Sequence, residues 1–219
     1  MRIIAGIYGG RRLIGPADEK TTRPITDRVK ENLFNRLWSM GLLPDDAAAA
    51  LDEMDQSDLP AGPVLDIFSG TGSMGLECLS RGARWATFVD MDRDAVDRLK
   101  QNIETVDAGD RCEVLQASAL GVSWIGMLRE KQYAMAFVDP PYKMMAIAED
   151  GSEPEERKRV VKMMSKLSEV VHEEGVVILR LPELCDPPLV DGWGPAKTHH
   201  YGSMAVHFYE HPGVDLDAE

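Results

Sequence analysis

An Asp-Pro-Pro-Tyr tetrapeptide, residues 139–142, follows directly after the apolar run AMAFV. These residue types suit chemistry on the exocyclic amine of a nucleobase, which is a weak nucleophile because its lone pair is delocalised into the ring. Asp139 and the carbonyl of Pro140 would each accept one N–H of the amine and so free the lone pair, while the prolines donate no competing N–H. The ring of Tyr142 offers a stacking face worth roughly 1 to 3 kcal/mol. The alternative is a rigid turn after a strand, with no ligand.

A glycine-rich turn in VLDIFSGTGSMG forms a second candidate site. Gly70, Gly72 and Gly75 satisfy G-x-G-x-x-G, which taken alone indicates a dinucleotide. Asp66 argues against a dinucleotide because its carboxylate would face a pyrophosphate of like charge, whereas it suits a cationic amine. S-adenosylmethionine carries such an amine, and a glycine turn would let its methionine tail lie close to the backbone. A turn or N-cap role for Asp66 is the alternative.

Asp90 lies 20 residues after Gly70, at the end of the next predicted strand. A carboxylate in this position can accept hydrogen bonds from ribose hydroxyls, a role that dinucleotides and S-adenosylmethionine share. Here too, a turn or N-cap residue is the alternative.

Apolar runs alternate with amphipathic segments after Pro63, which predicts βαβ units and a mostly parallel sheet covered on both faces. Asp139 then falls at the carboxyl end of the fourth strand, the edge where ligands bind in an open α/β sheet. Two strands around Gly202, within residues 196–210, are joined by a tight turn and must be antiparallel. The other predicted strands are 64–68, 86–90, 112–116, 134–139 and 175–181, separated by the amphipathic segments SMGLECLSRG, DAVDRLKQNIETV, VSWIGMLRE and ERKRVVKMMSKLSEVVHEEG.

Residues 1–43 are predicted to form an N-terminal extension. The stretch RIIAGIYGGRRLI reads as two short strands around Gly9-Gly10, a hairpin pattern. A helical pattern begins at Thr26, a candidate N-cap, and ends near Gly41.

Composition divides the rest of the chain. The acidic stretch before the sheet lacks aromatic residues and is bounded by prolines, which is typical of a linker or exposed insertion. The predicted segments are therefore an extension at 1–43, an acidic linker or insertion at 44–63, a main domain at 64–211 and an acidic tail at 212–219.

The chain carries a formal net charge of -13, which by itself argues against a polyanionic partner. The positive charge, however, is concentrated at one end, since residues 1–36 carry eight basic and four acidic side chains. A locally basic arm can still bind nucleic acid, because phosphate contacts act within a Debye length of roughly 8 to 10 Å. A solvated basic face is the alternative.

The sequence predicts a soluble cytoplasmic protein. No stretch approaches the roughly 20 apolar residues of a membrane span, and Arg2 is followed by Gly-rich sequence where a signal peptide would need an apolar run. Three cysteines, an odd number at wide spacing and without a nearby Cys or His, predict buried thiols and no metal site.

The motifs together resemble a known family. VLDIFSGTGSMG with FVDMD and FVDPPY is similar to the class I S-adenosylmethionine-dependent methyltransferases that act on amino groups. RIIAGIYGGRRL with TRPITDRVKENLFN resembles specifically the RsmD family, the bacterial 16S ribosomal RNA guanine-N2 methyltransferases, and HHYGSMAVHFYE fits that family's closing strands. The resemblance implies a Rossmann-like α/β fold with a mostly parallel seven-stranded sheet whose last strand is antiparallel, preceded by a small hairpin and helix.

The resemblance also implies roles for individual residues. The protein would be a cytoplasmic monomer that transfers a methyl group from S-adenosylmethionine to a guanine of 16S ribosomal RNA, within a small-subunit assembly particle and without a metal. Catalysis would fall to Asp139, Pro140 and Tyr142. Cofactor binding would fall to Asp66, Ser69, Gly70, Gly72, Asp90, Met91, Ser118 and Ala119. The basic residues of the N-terminal part would face RNA phosphates or cover the cofactor: Arg11, Arg12, Arg23 and Arg28, together with Lys20.

The sequence departs from the family pattern in three places. Ser118 stands where such enzymes usually have Asn or Asp near the adenine, so that this contact would pass to backbone groups. Residues 44–63 and 143–153 look like insertions, and the second follows the catalytic motif directly.

Other functions are weighed against this one. A DNA or other RNA base amino-methyltransferase, acting on adenine N6 or cytosine N4, would use the same tetrapeptide, but the DNA enzymes usually add a sizeable target-recognition domain. A catalytically idle RNA-binding assembly factor is disfavoured by the intact Asp139 and Tyr142. A nicotinamide oxidoreductase is disfavoured by Asp66.

Overall fold

A computed structural model of the chain describes residues 1–17, 25–52, 59–148 and 150–217. Seven strands form one sheet. They are β1 (Val64–Ile67), β2 (Ala86–Asp90), β3 (Cys112–Gln116), β4 (Tyr133–Val138), β5 (Val171–Pro182), β6 (Lys197–Tyr201) and β7 (Met204–Glu210).

The spatial order of the strands is β3-β2-β1-β4-β5-β7-β6. Neighbouring strands from β3 to β5 pair in parallel, whereas β7 is antiparallel to both β5 and β6. The predicted Rossmann-like sheet with an antiparallel last strand is confirmed. From β1 the strands β2 and β3 are added on one side, and from β4 the later strands are added on the other. The boundary between β1 and β4 is therefore the topological switch point, where open α/β sheets bind ligands.

Helices cover both faces of the sheet: α1 (Asp27–Ser39), α2 (Ala47–Asp52), α3 (Ser73–Ser80), α4 (Arg93–Val106), α5 (Tyr142–Met145) and α6 (Glu155–Leu167). One apolar core lies beneath α1, α3 and α4, and a second lies beneath α5 and α6. Strands β1 and β4 are buried along their whole length because helices cover them on both sides, which is why they read as continuous apolar runs.

Two predicted helical segments are shorter than expected. VSWIGMLRE forms only a 3₁₀ turn at Ser123–Met127, where Gly126 disfavours a longer helix. The predicted last helix ends at Leu167, and β5 already begins at Val171, because this β-branched residue pairs with Tyr133 of β4.

The N-terminal hairpin prediction is only partly correct. The chain does turn back on itself, but the paired strands reduce to one antiparallel bridge between Arg2 and Arg12. The turn is wider than Gly9-Gly10, because the amide of Gly10 donates to the carbonyl of Ile3. Four other backbone amides of this segment bond instead to side chains of the main body: those of Ile4, Ala5, Tyr8 and Ile14.

Helix α1 begins where the sequence predicts. The hydroxyl of Thr26 accepts a hydrogen bond from the amide of Val29, which confirms Thr26 as the N-cap, and the helix ends two residues before Gly41. Lys30 was not expected inside the protein, yet its side chain is 2% exposed.

The carboxylate of Glu77, on α3, is fully buried and joins three parts of the chain. It accepts hydrogen bonds from the backbone amides of Ile4 and Ala5 at 2.8 and 3.1 Å. It also lies 2.9 Å from the ammonium of Lys30 and 2.9 Å from Nε of Arg81. The N-terminal segment and α1 are thus tied to the same side chain.

None of the helices among the described residues is both long and apolar enough to cross a membrane.

We expect Glu77→Ala to destabilise the protein by about 3–5 kcal/mol, because the buried Lys30 would lose its counter-charge and two amides their acceptor. Urea unfolding followed by circular dichroism measures the difference.

Arg2→Ala is the control. It breaks the ion pair with Asp27, whose partners are 58% and 51% exposed, so its cost should stay below about 1 kcal/mol. Equal losses in the two variants would contradict the role assigned to Glu77.

Candidate active site

The residues predicted for cofactor binding and catalysis lie at one edge of the sheet. The glycine turn follows β1, Asp90 ends β2 and Met91 follows it, Ser118 and Ala119 follow β3, and Asp139 follows β4. Because these strands are parallel neighbours, their carboxyl ends bring residues from four separate segments together. Asp66 lies inside a strand, one residue before the end of β1.

The glycines of the turn serve different purposes. A Cβ on Gly72 would lie 2.3 Å from Leu99 of α4, and one on Gly75 would lie 2.4 Å from the ring of Phe88 on β2. These two glycines let α3 pack closely against its neighbours. A Cβ on Gly70 would meet nothing within 4 Å, so this is the glycine whose flank is open to a ligand.

The same turn is strained and leaves a polar group without a partner. Phe68 has a φ of 59°, a left-handed conformation that costs a non-glycine residue roughly 1–2 kcal/mol. Within the described chain, the Ser69 hydroxyl is buried without a hydrogen-bond partner. A strained turn with an orphaned hydroxyl beside the open flank of Gly70 fits the binding of a ligand that bonds to this hydroxyl.

Asp66 is 2% exposed, and one of its oxygens accepts a hydrogen bond from the amide of Gly75 at 2.9 Å. The carboxyl therefore supports the turn from beneath. Burial raises its pKa from 3.8 to about 8; the Gly75 bond and Lys30 oppose this rise, while Asp139 and Asp90 add to it.

Asp90 holds the glycine turn against β2. Its Oδ2 accepts from the amide of Gly70 at 2.7 Å, and its Oδ1 accepts from the amide of Asp92 at 2.9 Å. Met91 is 62% exposed at this edge, whereas Ala119 is buried. The end of β2 thus presents the apolar side chain of Met91 next to the carboxylate of Asp90, a combination that suits a nucleoside.

The Asp-Pro-Pro-Tyr tetrapeptide is anchored to both neighbouring strands. The amide of Asp139 donates to the carbonyl of Ile67 on β1, and its Oδ1 accepts from Nε of Arg180 on β5 at 2.7 Å. The prolines carry the chain out of the sheet, and Tyr142 begins helix α5. Tyr142 thereby lies beyond the strand ends.

An open pocket of about 320 Å³ lies between α1 and the sheet beside this tetrapeptide. Asp139 and Arg180 supply its charged groups, and apolar side chains that include Ile25, Leu33 and Met74 supply the rest. The arrangement places one carboxylate and one guanidinium in a largely apolar cleft, next to the glycine turn.

Two arginines at this site were missed by the sequence analysis. Arg180 is the single charged residue in the run GVVILRL, and this interruption is the signal that could have identified it. Arg157 of α6 is 3% exposed and donates to the carbonyls of Met145 at 3.0 Å and Asp186 at 3.1 Å. It joins the end of α5 to the loop after β5, a role without any local sequence pattern.

The predicted RNA-binding arginines are spread over the N-terminal part of the chain. Arg12 and Arg28 are both exposed. The backbone of Arg12 forms the antiparallel bridge with Arg2, and the side chain of Arg2 forms an ion pair with Asp27, the residue before Arg28. The guanidinium of Arg11 instead donates to the carbonyl of Thr105 near the end of α4. Arg23 and Lys20 lie outside the described residues.

Comparison with known proteins agrees with this fold. A family described as Conserved hypothetical protein 95 matches residues 1–210. The solved structure of Escherichia coli yhhF, provisionally named a methyltransferase, superposes with a TM-score of 0.66 at 28% identity, over 96% of this chain and 97% of that one.

Two curated relatives are also similar. Bacillus subtilis YlbH, provisionally named an rRNA methyltransferase, is 28% identical over 97% of this chain and 100% of its own length. The ribosomal RNA small subunit methyltransferase D of Haemophilus influenzae is 35% identical over 65% of this chain. That alignment spans 64% of the Haemophilus protein, which is less than two thirds of its length.

We expect Asp66→Asn to gain stability relative to the wild type as the pH rises. The folded state binds the Asp66 proton more tightly than the unfolded chain does, so the wild-type free energy of unfolding falls between about pH 4 and about pH 8. Asparagine cannot ionise and lacks this dependence. Between about pH 5 and about pH 9, urea unfolding should show the free energy of unfolding of the variant, relative to that of the wild type, rising by more than about 1 kcal/mol. The same relative value at both pH values would contradict the buried neutral carboxyl.

Proposed function

This chain belongs to the family described as Conserved hypothetical protein 95, the RsmD family of ribosomal RNA methyltransferases, and on that premise we propose that it methylates the N2 amine of a guanine in 16S ribosomal RNA. S-adenosylmethionine would be the methyl donor. The substrate would be presented in a small-subunit assembly particle, and the enzyme would act as a cytoplasmic monomer.

The observation that carries this proposal is the position of Asp139. Its carboxylate follows β4, next to the glycine turn after β1, and lines an open, largely apolar pocket. Two prolines and Tyr142 come directly after it. A carboxylate, a carbonyl and an aromatic ring at the carboxyl edge of the sheet are the groups that a nucleobase amine requires.

The cofactor would supply an electrophilic methyl group. The unpartnered Ser69 hydroxyl and the open flank of Gly70 support its binding at the turn. Asp90 would accept hydrogen bonds from ribose hydroxyls with lone pairs that its two amide bonds leave free. The exposed side chain of Met91 would pack against the adenine, beside Ser118 and Ala119. Gly72 and Asp66 would act by shaping the turn.

Asp139 would act on the amine itself. Its Oδ1 is held by Arg180, and within the described chain we find no hydrogen bond to its Oδ2, which would accept one N–H of the guanine amine. The carbonyl of Pro140 would accept the other N–H. These bonds draw the nitrogen towards tetrahedral geometry and make its lone pair available for the methyl group. Tyr142 would hold the base by stacking on it.

The RNA substrate is supported by the names of the relatives and by the basic N-terminal part of the chain. Haemophilus influenzae methyltransferase D is named for the ribosomal RNA of the small subunit. Ile25, which lines the pocket beside Asp139, lies three residues before the exposed Arg28. Arg12 and Arg28 would contact phosphates near the target nucleotide, and Arg11 and Arg23 remain further predicted contacts.

The direct test is methylation of small ribosomal subunits, and of their free 16S RNA, from a strain that lacks the gene. We expect the purified protein to add one methyl group, found as N2-methylguanine by mass spectrometry of the nucleosides. Asp139→Ala should lower turnover by about 100-fold or more while S-adenosylhomocysteine still binds, because the carboxylate acts mainly in the transition state.

Asp139→Asn is the matched variant, since it keeps the shape and one acceptor oxygen. Substantial remaining activity would mean that Asp139 orients the amine without needing its charge. Methylation of adenine or cytosine, or cofactor binding without any methyl transfer, would overturn the proposed reaction.

The basic residues near the site allow a separate prediction. Arg12→Glu and Arg28→Glu should each weaken RNA binding and reduce the slope of log affinity against log salt by about one unit, because each removes a phosphate contact. Filter binding at several salt concentrations measures this slope. Lys166→Glu, an exposed charge reversal at the last turn of α6, is the control. An unchanged slope in the first two variants would mean that RNA binds elsewhere.

A further inference from the structure

We propose that Arg180 is a positioning residue for the reaction, which keeps the Asp139 carboxylate ionised and turns its second oxygen towards the substrate amine. This inference rests on the proposed function, since it assigns Arg180 a task in that same site.

The sheet itself brings the two residues together. β4 and β5 are parallel, and Val138 opposite Leu179 is the last pair in their register. Asp139 and Arg180 each follow one residue later, so their side chains leave the sheet on the same face. The preceding pair, Phe137 and Ile178, belongs to the core under α1, and by alternation Asp139 and Arg180 face α1 as well.

The contact is short and directional. Nε of Arg180 donates to Oδ1 of Asp139 at 2.7 Å, and the two side chains are 14% and 29% exposed. Holding one carboxylate oxygen stops rotation about the last side-chain bond, so that Oδ2 has one direction. Because the pocket beside the pair is lined largely by apolar side chains, a misdirected carboxylate would find few other donors there.

The guanidinium also opposes the effect of burial. Burial raises the pKa of the Asp139 carboxyl above its ordinary range, and the charge and hydrogen bond of Arg180 limit that rise. A protonated Asp139 would be a weaker acceptor for the amine. Arg180 therefore determines how far down the pH scale the site keeps an ionised carboxylate.

Other ionisable groups surround this pair. The Asp139 carboxyl raises the pKa of Asp66 on β1 by charge repulsion, although burial is the larger cause of that rise. Lys30 on α1 lowers the pKa of Asp66. Tyr142 on α5 interacts electrostatically with Arg180. Arg180 is the cation that bonds directly to Asp139.

Arg180→Gln tests the inference through the pH dependence of turnover. Without the positive charge the Asp139 pKa should rise, so the acidic limb of the kcat profile should move up by about one pH unit or more. On the acidic limb a shift of this size lowers kcat by up to about tenfold, and most of the loss should be recovered at about pH 9. The KM for S-adenosylmethionine should stay within about twofold of wild type, because Arg180 acts on the amine side.

Two variants separate charge from structure. Arg180→Lys keeps the charge but loses the planar fork, so it should restore the acidic limb to its wild-type position while kcat stays reduced. If Arg180→Gln does not fold, the position of the acidic limb and the kcat of Arg180→Lys test the role of Arg180 instead. Arg84→Gln removes another arginine–carboxylate pair, with Glu130, at 25% and 22% exposure near the amino end of β2, and should leave the profile unchanged.

A titration provides a readout that does not need methyl transfer. In protein labelled with ¹³C at aspartate carboxyls, the Asp139 signal is the one that disappears in Asp139→Asn. Its midpoint should lie at higher pH in Arg180→Gln than in the wild type. A wild-type protein without methyltransferase activity would overturn the proposed function, and this titration would still decide the inference. Equal loss of kcat at every pH, or an unmoved midpoint, would overturn the role of Arg180.

Discussion

The arrangement of this protein depends on a carboxylate that is completely removed from water in the middle of helix α3. Glu77 accepts two backbone amides of the N-terminal segment and pairs with Lys30 of α1 and Arg81 of its own helix. A buried carboxylate is stable only where donors surround it, so these contacts allow one relative position of the three segments. Helix α3 begins where the glycine turn ends, and the turn is held in place as a result.

Further buried polar contacts extend this link towards the active edge. The side chain of Asn102 on α4 bonds to both backbone groups of Ile14 and to the carbonyl of Thr71 in the glycine turn. The ammonium of Lys30 also donates to the hydroxyl of Ser73, the first residue of α3. The described part of the N-terminal segment is therefore tied by buried hydrogen bonds to the helices that support the turn.

Asp66, Asp90 and Asp139 have carboxyl groups with different hydrogen-bond partners. Asp66 lies under the turn, where burial favours its neutral form and the Gly75 amide occupies one oxygen. Asp90 is half-buried at the end of β2 and accepts a backbone amide with each oxygen. Asp139 is paired with an arginine from the neighbouring strand. Three acidic residues that look alike in the sequence thus differ in the groups that hold them and in the direction from which a ligand can reach them.

The sequence by itself determined the strands and the order of the candidate site along the chain. Strands β2 and β3 have the predicted bounds, and the tetrapeptide and the glycine turn lie at the predicted edge, because apolar runs and turn residues are local signals. Only the tertiary structure decided the buried polar contacts. Glu77 meets Ile4 across 73 residues and Arg180 meets Asp139 across 41, and charged residues in a sequence are by default expected at the surface. Their burial is possible only where distant segments supply partners, which local patterns do not encode.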